Sequence, residues 1–348
     1  MNRLHQRHIC WRRWLKPAVG QLTFVLLILP AHSVRFHAAE LLTHPATGFE
    51  MRKVPATTLQ MAGANLQIDF LGVEPDLPRT CIITEISQAA RAVATYYGRF
   101  PVSSARILVV VAAGEHGVLH GTTWGRKDGY PALTRLVVGQ DTTRHELETN
   151  WIMTHELVHT ALASLPDAQH WLEEGIATYV EPIARSQAGQ LDAEKVWADM
   201  LEGMRHGEPQ EFDRGLDHTH AWGRTYWGGA LFCLVADVEI RKQTNNRHGL
   251  QDALRAIVAA GRTIDKEWPL KRILIIGDNA TGTAVLQDLY KKWSGTPVRI
   301  DLPQLWQVLG IHVENGRTVF DDAAPLSQMR LGITASRQGK MKAEHDCL

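Results

Sequence analysis

Five residues, His155-Glu156-Leu157-Val158-His159, constrain this 348-residue chain more than any other feature. Two histidines four apart make one site only on an α-helix, where that spacing puts both imidazoles on one face and within reach of one ion. The flanks fit a helix over 149–164. Trp151, Ile152, Leu157, Val158 and Leu162 give it an apolar face, and neither Gly nor Pro interrupts before Pro166. Glu156, one step round the helix, is placed to take a proton from an attacking water. A catalytic zinc takes three protein ligands, and this segment supplies two. No histidine follows six residues after His159, where Leu165 stands. The third ligand is instead expected from Trp171-Leu172-Glu173-Glu174-Gly175-Ile176-Ala177, the start of a second helix over 172–188, folded back by a turn at Pro166, Asp167 and His170. Of its two carboxylates Glu174 is the expected ligand and Glu173 the neighbouring alternative.

Taken together, H-E-x-x-H followed by W-x-x-E-G-x-A resembles the gluzincin zinc metallopeptidases, which have a thermolysin-like catalytic domain. Tyr226-Trp227-Gly228-Gly229-Ala230-Leu231, running on through Asp237 and Ile240-Arg241, is similar to a segment of the glycyl-aminopeptidase family and to the Y-x-x-G segment of aminopeptidase N-like enzymes. Phe320 to Leu326 also looks like the end of a glycyl-aminopeptidase catalytic region. The likeness is strong over about 150–245, faint to about 335, and not recognisable over 34–115. It implies one zinc per chain on His155, His159 and Glu174, with Glu156 as general base and Tyr226 as a donor to the oxyanion. His218 and His220 are secondary candidates for that last role, as a histidine serves in thermolysin-like enzymes. Three departures stand out. Only 14 residues separate His159 from Glu174, fewer than in those relatives. The stretch Val118-Leu119-His120-Gly121-Thr122 lacks the acid with which the aminopeptidases grip a substrate amine. The chain also has no room for their large extra domains.

The expected fold class is α+β: a bilobal zincin domain with a β-containing lobe over 34–148 and zinc-binding helices and a helical lobe over 149–335, then a flexible tail over 336–348. Leu66 to Phe70 alternates as a strand does, Thr80 to Tyr97 has helical apolar spacing stopped by Gly98, and Arg106 to Ala112 and Leu133 to Gly139 read as strands. Between the last two lies a glycine-rich stretch, Gly114 to Gly129. Helices are expected over 192–205, 225–244, 250–260 and 284–294, so the second part reads as all-helical. A strand such as 133–139 can pair with an extended substrate. Ile276 to Gly282 reads as a connection, since it lacks the Gly-Lys-Ser/Thr of a phosphate loop.

The first 33 residues run from basic (Arg3, Arg7, Arg12, Arg13, Lys16) through apolar Leu22 to Leu29 to the small pair Ala31-x-Ser33, the order of a secretory signal. The apolar run is short of the ~20 residues a membrane span needs. Export to the periplasm or medium follows, with tethering by an uncleaved segment as the alternative. Lysine plus arginine number 37 and aspartate plus glutamate 37, a balance that lacks the basic footprint of a nucleic-acid binder. Four scattered cysteines form no disulfide framework. The leading reading is an exported zinc peptidase acting on peptide or protein. Its alternatives are a binding or scaffold protein that keeps the fold without turnover, and a zinc hydrolase of a non-peptide amide or ester.

Overall fold

Period-two burial builds the first half of the molecule. The computed structural model describes residues 57–335, which belong to one compact unit. The expected signal segment, residues 34–56 and the tail over 336–348 lie outside the described residues. Strands β1 (Thr57–Met61) and β2 (Ala64–Gly72) form a hairpin, and β3 (Ser104–Ala112) turns Ala105, Ile107, Val109 and Val111 into the core. With β4 (Val118–Lys127) and β5 (Tyr130–Gly139) they make a five-stranded sheet ordered β1-β2-β3-β5-β4. Strands β2, β3 and β5 are parallel, while β1 and β4 run antiparallel to their neighbours at the two edges. A parallel pair needs a crossover. Helix α1 (Arg79–Tyr97) provides it between β2 and β3, burying Ile82, Ile86, Ala90 and Val93 and ending at Gly98, whose φ of 79° is the left-handed cap expected there.

One expectation for the sheet needs correction, and a stretch given no element proves to hold a strand. The glycine-rich stretch 114–129 contains β4. Gly114, Gly117 and Gly129 take positive φ in the flanking turns, while Gly121 and Gly125 lie inside the strand. Strand 133–139, now part of β5, is hydrogen-bonded on both sides. The edge of the sheet on that side is β4.

The remaining helices are α2 (Arg144–Glu148), α3 (Ile152–Val158), α4 (His170–Gln187), α5 (Ala193–Gly203), α6 (Gly229–Gln243), α7 (Leu250–Ala259), α8 (Leu270–Thr281), α9 (Val285–Trp293), α10 (Leu302–Leu309) and α11 (Ser327–Thr334). The helix expected over 149–164 is shorter at both ends. Thr143 and Glu146 cap α2 reciprocally, and the Asn150 side chain accepts the Met153 N–H at 3.0 Å, so α3 starts afresh. A 3₁₀ turn, His159–Ala161, closes it. The expected connection over 276–282 is the last turn of α8 with its Gly282 cap at φ 68°. Gly277 sits inside that helix because a Cβ there would press on Leu286 and Ala253. Nor is the second part purely helical: β6 (Ile311–Glu314) and β7 (Arg317–Phe320) form a hairpin. One core runs from the sheet through α1, α3, α4 and α6, with Trp171, Trp197 and Trp293 fully buried in it. Cys81 and Cys233 are buried and take part in no disulfide. No helix among the described residues is long and apolar enough to cross a membrane.

Candidate metal centre

Every residue of α3 is buried, which is unusual for a segment carrying a histidine and a glutamate. His155 projects from α3 and His159 from the 3₁₀ turn after it. The carboxylate that meets them is Glu174, from the second turn of α4. Glu174 Oε2 lies 3.2 Å from His155 Nε2 and 3.6 Å from His159 Nε2. The three ligand atoms all fall within 4.8 Å of one another, and among the described residues no other His/Cys/Asp/Glu group does so. Tetrahedral zinc with bonds of about 2.0–2.1 Å separates neighbouring ligand atoms by about 3.4 Å. Two neutral-capable imidazoles and one carboxylate at this spacing fit such an ion. Burial drives His159 down to about 4 against the pull of Glu174. Burial works to raise Glu174, but His159, His155 and His170 outweigh it and hold the carboxyl at about 2. Both groups thus stand in the form that binds metal at neutral pH.

Glycines explain how α4 reaches this position. A Cβ on Gly175 would run into Gly229 Cα, and one on Gly229 into Trp171 O and Gly175 Cα. The E-G and Y-x-x-G segments are therefore the crossing point of α4 and α6. That crossing carries Tyr226, in the π-helical turn Arg224–Gly228, to the same place as Glu174. Tyr226 is buried, hydrogen-bonds Glu174, and stacks between His155 and Trp222 at ring-centroid distances of 6.3 and 6.2 Å. Burial first, and then Glu174 and Glu156, push its phenol pKa upward, so it keeps its proton.

Glu156 lies against β4. Thr123 Oγ1 is 2.9 Å from both Glu156 O and Glu156 Oε2, and 3.1 Å from Thr134 Oγ1. A Cβ on Gly121 would overlap the Glu156 side chain, so the strand needs glycine at that place. Burial raises the Glu156 carboxyl to about 7, with Glu174 adding to the rise while His155 and Thr123 oppose it.

The sequence-derived candidates separate clearly. His155, Glu156, His159, Glu174 and Tyr226 come together. Glu173 turns away, accepting the Leu165 N–H at 2.9 Å and facing His170 Nδ1 at 3.0 Å. His218 and His220 are exposed on the loop before Tyr226 and lie outside the trio. Their neighbour Asp217 is the anchored residue, accepting from Trp171 Nε1 at 2.8 Å and Tyr290 Oη at 2.7 Å. Thr123, Gly121 and His170 escaped the sequence reading. The signal for Gly121 was present in the glycine-rich run, but those for Thr123 and His170 depend on partners distant in sequence or across a turn.

No family model and no curated protein matches the sequence. Among solved structures, the chain is similar to an aminopeptidase N family protein from Idiomarina loihiensis, with a TM-score of 0.54 and 16% identity. The match covers 75% of this chain and 50% of that one. The fold is zincin-like. An M1 zinc metallopeptidase from Deinococcus radiodurans also aligns, at a TM-score of 0.46 and 17% identity over 72% of this chain and 52% of that one. The chain thus spans about half the length of the structures it matches.

Proposed function

We propose that the chain is a zinc-dependent peptidase, with one zinc held by His155, His159 and Glu174. The observation that carries this reading is a donor trio, His155 and Glu174 buried and His159 half-buried, whose ligand atoms lie within 4.8 Å of one another, with a buried carboxylate, Glu156, beside it. Zinc bound there supplies Lewis-acid activation of water and of a substrate carbonyl. Glu156 takes the proton of the attacking water and returns it to the leaving amine. Burial raises this carboxyl above its usual value, the direction that suits a group that both takes and returns a proton. Tyr226, which keeps its proton, is a donor for negative charge that develops only in the transition state. The open edge of β4, with Gly121 and Thr123 against Glu156, supports main-chain pairing with an extended peptide. Export rests on the order of basic, apolar and small residues over 1–33.

The test is a peptide-library digest read by mass spectrometry, with zinc-loaded wild-type protein beside zinc-loaded Glu156→Gln. Wild type should cleave, and the variant should hold zinc while losing about 10²–10⁴ in turnover. Undiminished cleavage by the metal-loaded variant would sink the mechanism. Inert peptides alongside cleaved non-peptide esters or amides would move the reading to another zinc hydrolase.

A further inference from the structure

Helix α4 begins at His170, and its ring lies between two carboxylates. Nε2 is 3.3 Å from Glu174 Oε1, and Nδ1 is 3.0 Å from Glu173 Oε2. The other Glu173 oxygen accepts the Leu165 N–H at 2.9 Å. A continuous chain of contacts thus runs from the backbone of the connection between the two ligand-bearing segments, through Glu173 and His170, to Glu174. It ends on Oε1, whereas both metal-facing histidines meet Oε2.

We propose that His170, held by Glu173, is a positioning residue that fixes the Glu174 carboxylate for the metal; this rests on the zinc reading above. A glutamate side chain has three torsions, and its terminal one is broad. Left alone, the carboxylate can present either oxygen to the histidines or swing away. The His170 ring held 3.3 Å from Oε1 selects the orientation that aims Oε2 at His155 and His159. The spacing matters too, because His170 precedes Glu174 by one helical turn and so sits directly over it. An exposed pair at that spacing contributes little, but Glu174 is buried and His170 partly so, which makes the contact consequential. The same device accounts for the short link between His159 and Glu174. Glu173 pins that link at Leu165 while His170 passes the restraint to the ligand.

The experiment measures zinc affinity by competition with a chromogenic chelator, and the melting temperature of the metal-free protein, for wild type, His170→Ala, His170→Gln and Glu173→Gln. His170→Ala should bind zinc about 10–100-fold more weakly, with a metal-free melting temperature close to wild type. His170→Gln, which keeps a side-chain N–H donor at this position, should recover most of the loss, and Glu173→Gln should fall between. Wild-type affinity in His170→Ala would overturn this inference alone. So would a loss that Gln does not recover and that follows a lowered metal-free melting temperature, since His170 would then only start the helix. Failure of wild-type protein to bind zinc would overturn the zinc reading and this inference with it.

Discussion

Two buried polar clusters lie along the pairing of α4 with α6, and they are built on opposite principles. In the first, Asp237 Oδ1 accepts Arg241 Nε at 2.7 Å and the Leu250 N–H at 3.1 Å, while Oδ2 accepts Tyr179 Oη at 2.9 Å. Arg241 goes on to Asn246 Oδ1 and Gly332 O. Its one negative and one positive charge cancel, and the fixed donors of Arg, Tyr and backbone saturate the carboxylate. The second cluster gathers His155, His159 and His170 around Glu174, with Tyr226 also on that carboxylate. Its ring nitrogens change role with their protons, and two of them converge on a single oxygen. His170, on the other carboxylate oxygen, restrains that pattern, but it lacks the permanent charge with which Arg241 holds Asp237. The first cluster holds α4, α6, α7 and helix α11 together; the second brings together the three donors that could hold a cation.

The contrast is sharpest in a pair of alanine variants. Asp237→Ala strips the counter-charge from a buried arginine and should cost about 3–5 kcal/mol of stability, read as a lowered melting temperature. Its folded fraction should still bind one zinc. Glu174→Ala should do the reverse, so that added zinc no longer raises the melting temperature as ligand binding to the native state does in wild type. If Asp237→Ala abolished zinc binding in protein that remains folded, the division between a structural and a metal-binding cluster would be wrong.

A smaller effect separates groups within the second cluster. Tyr226→Phe removes a hydroxyl and keeps the ring that stacks on His155 and Trp222. Turnover should fall roughly 10²–10³-fold, or about 3–4 kcal/mol, with zinc content unchanged. His218→Ala and His220→Ala, both on the exposed loop, should leave stability within about 0.5 kcal/mol and turnover close to wild type. Steady-state kinetics on one cleaved substrate compares all three. A large loss in either histidine variant, with near-wild-type Tyr226→Phe, would move the donor role to that histidine.

Local patterns made the centre legible in the sequence. The motif pair of histidines follows from helical spacing alone, and Glu174 is flagged by Gly175, which the structure explains as the helix-crossing contact with Gly229. Strand β2 announced itself by alternation, β3 by its continuous β-branched run, and helix α1 by helical apolar positions ended by Gly98, while Leu133 to Gly139 marked the greater part of β5. The misses have the opposite character. Strand β4 is rich in glycine and nowhere fully buried, so it lacks apolar alternation, and its glycines answer to Glu156 and Ile264 across the fold. The break at Asn150 is a side-chain cap inside an otherwise helical pattern. Helix α8 carries Gly277 for close packing against α7 and α9, which reads in sequence as a breaker. His170 looks like a turn residue until its two carboxylate partners are seen.

The most direct test of the central claim is calorimetric titration of metal-free protein with zinc, comparing wild type with the His155→Ala/His159→Ala double variant. Wild type should bind one zinc per chain, and the double variant, with two of three ligands gone and its fold checked by circular dichroism, should show no stoichiometric site. One-to-one zinc binding by the folded double variant, or none by wild type, would contradict the account.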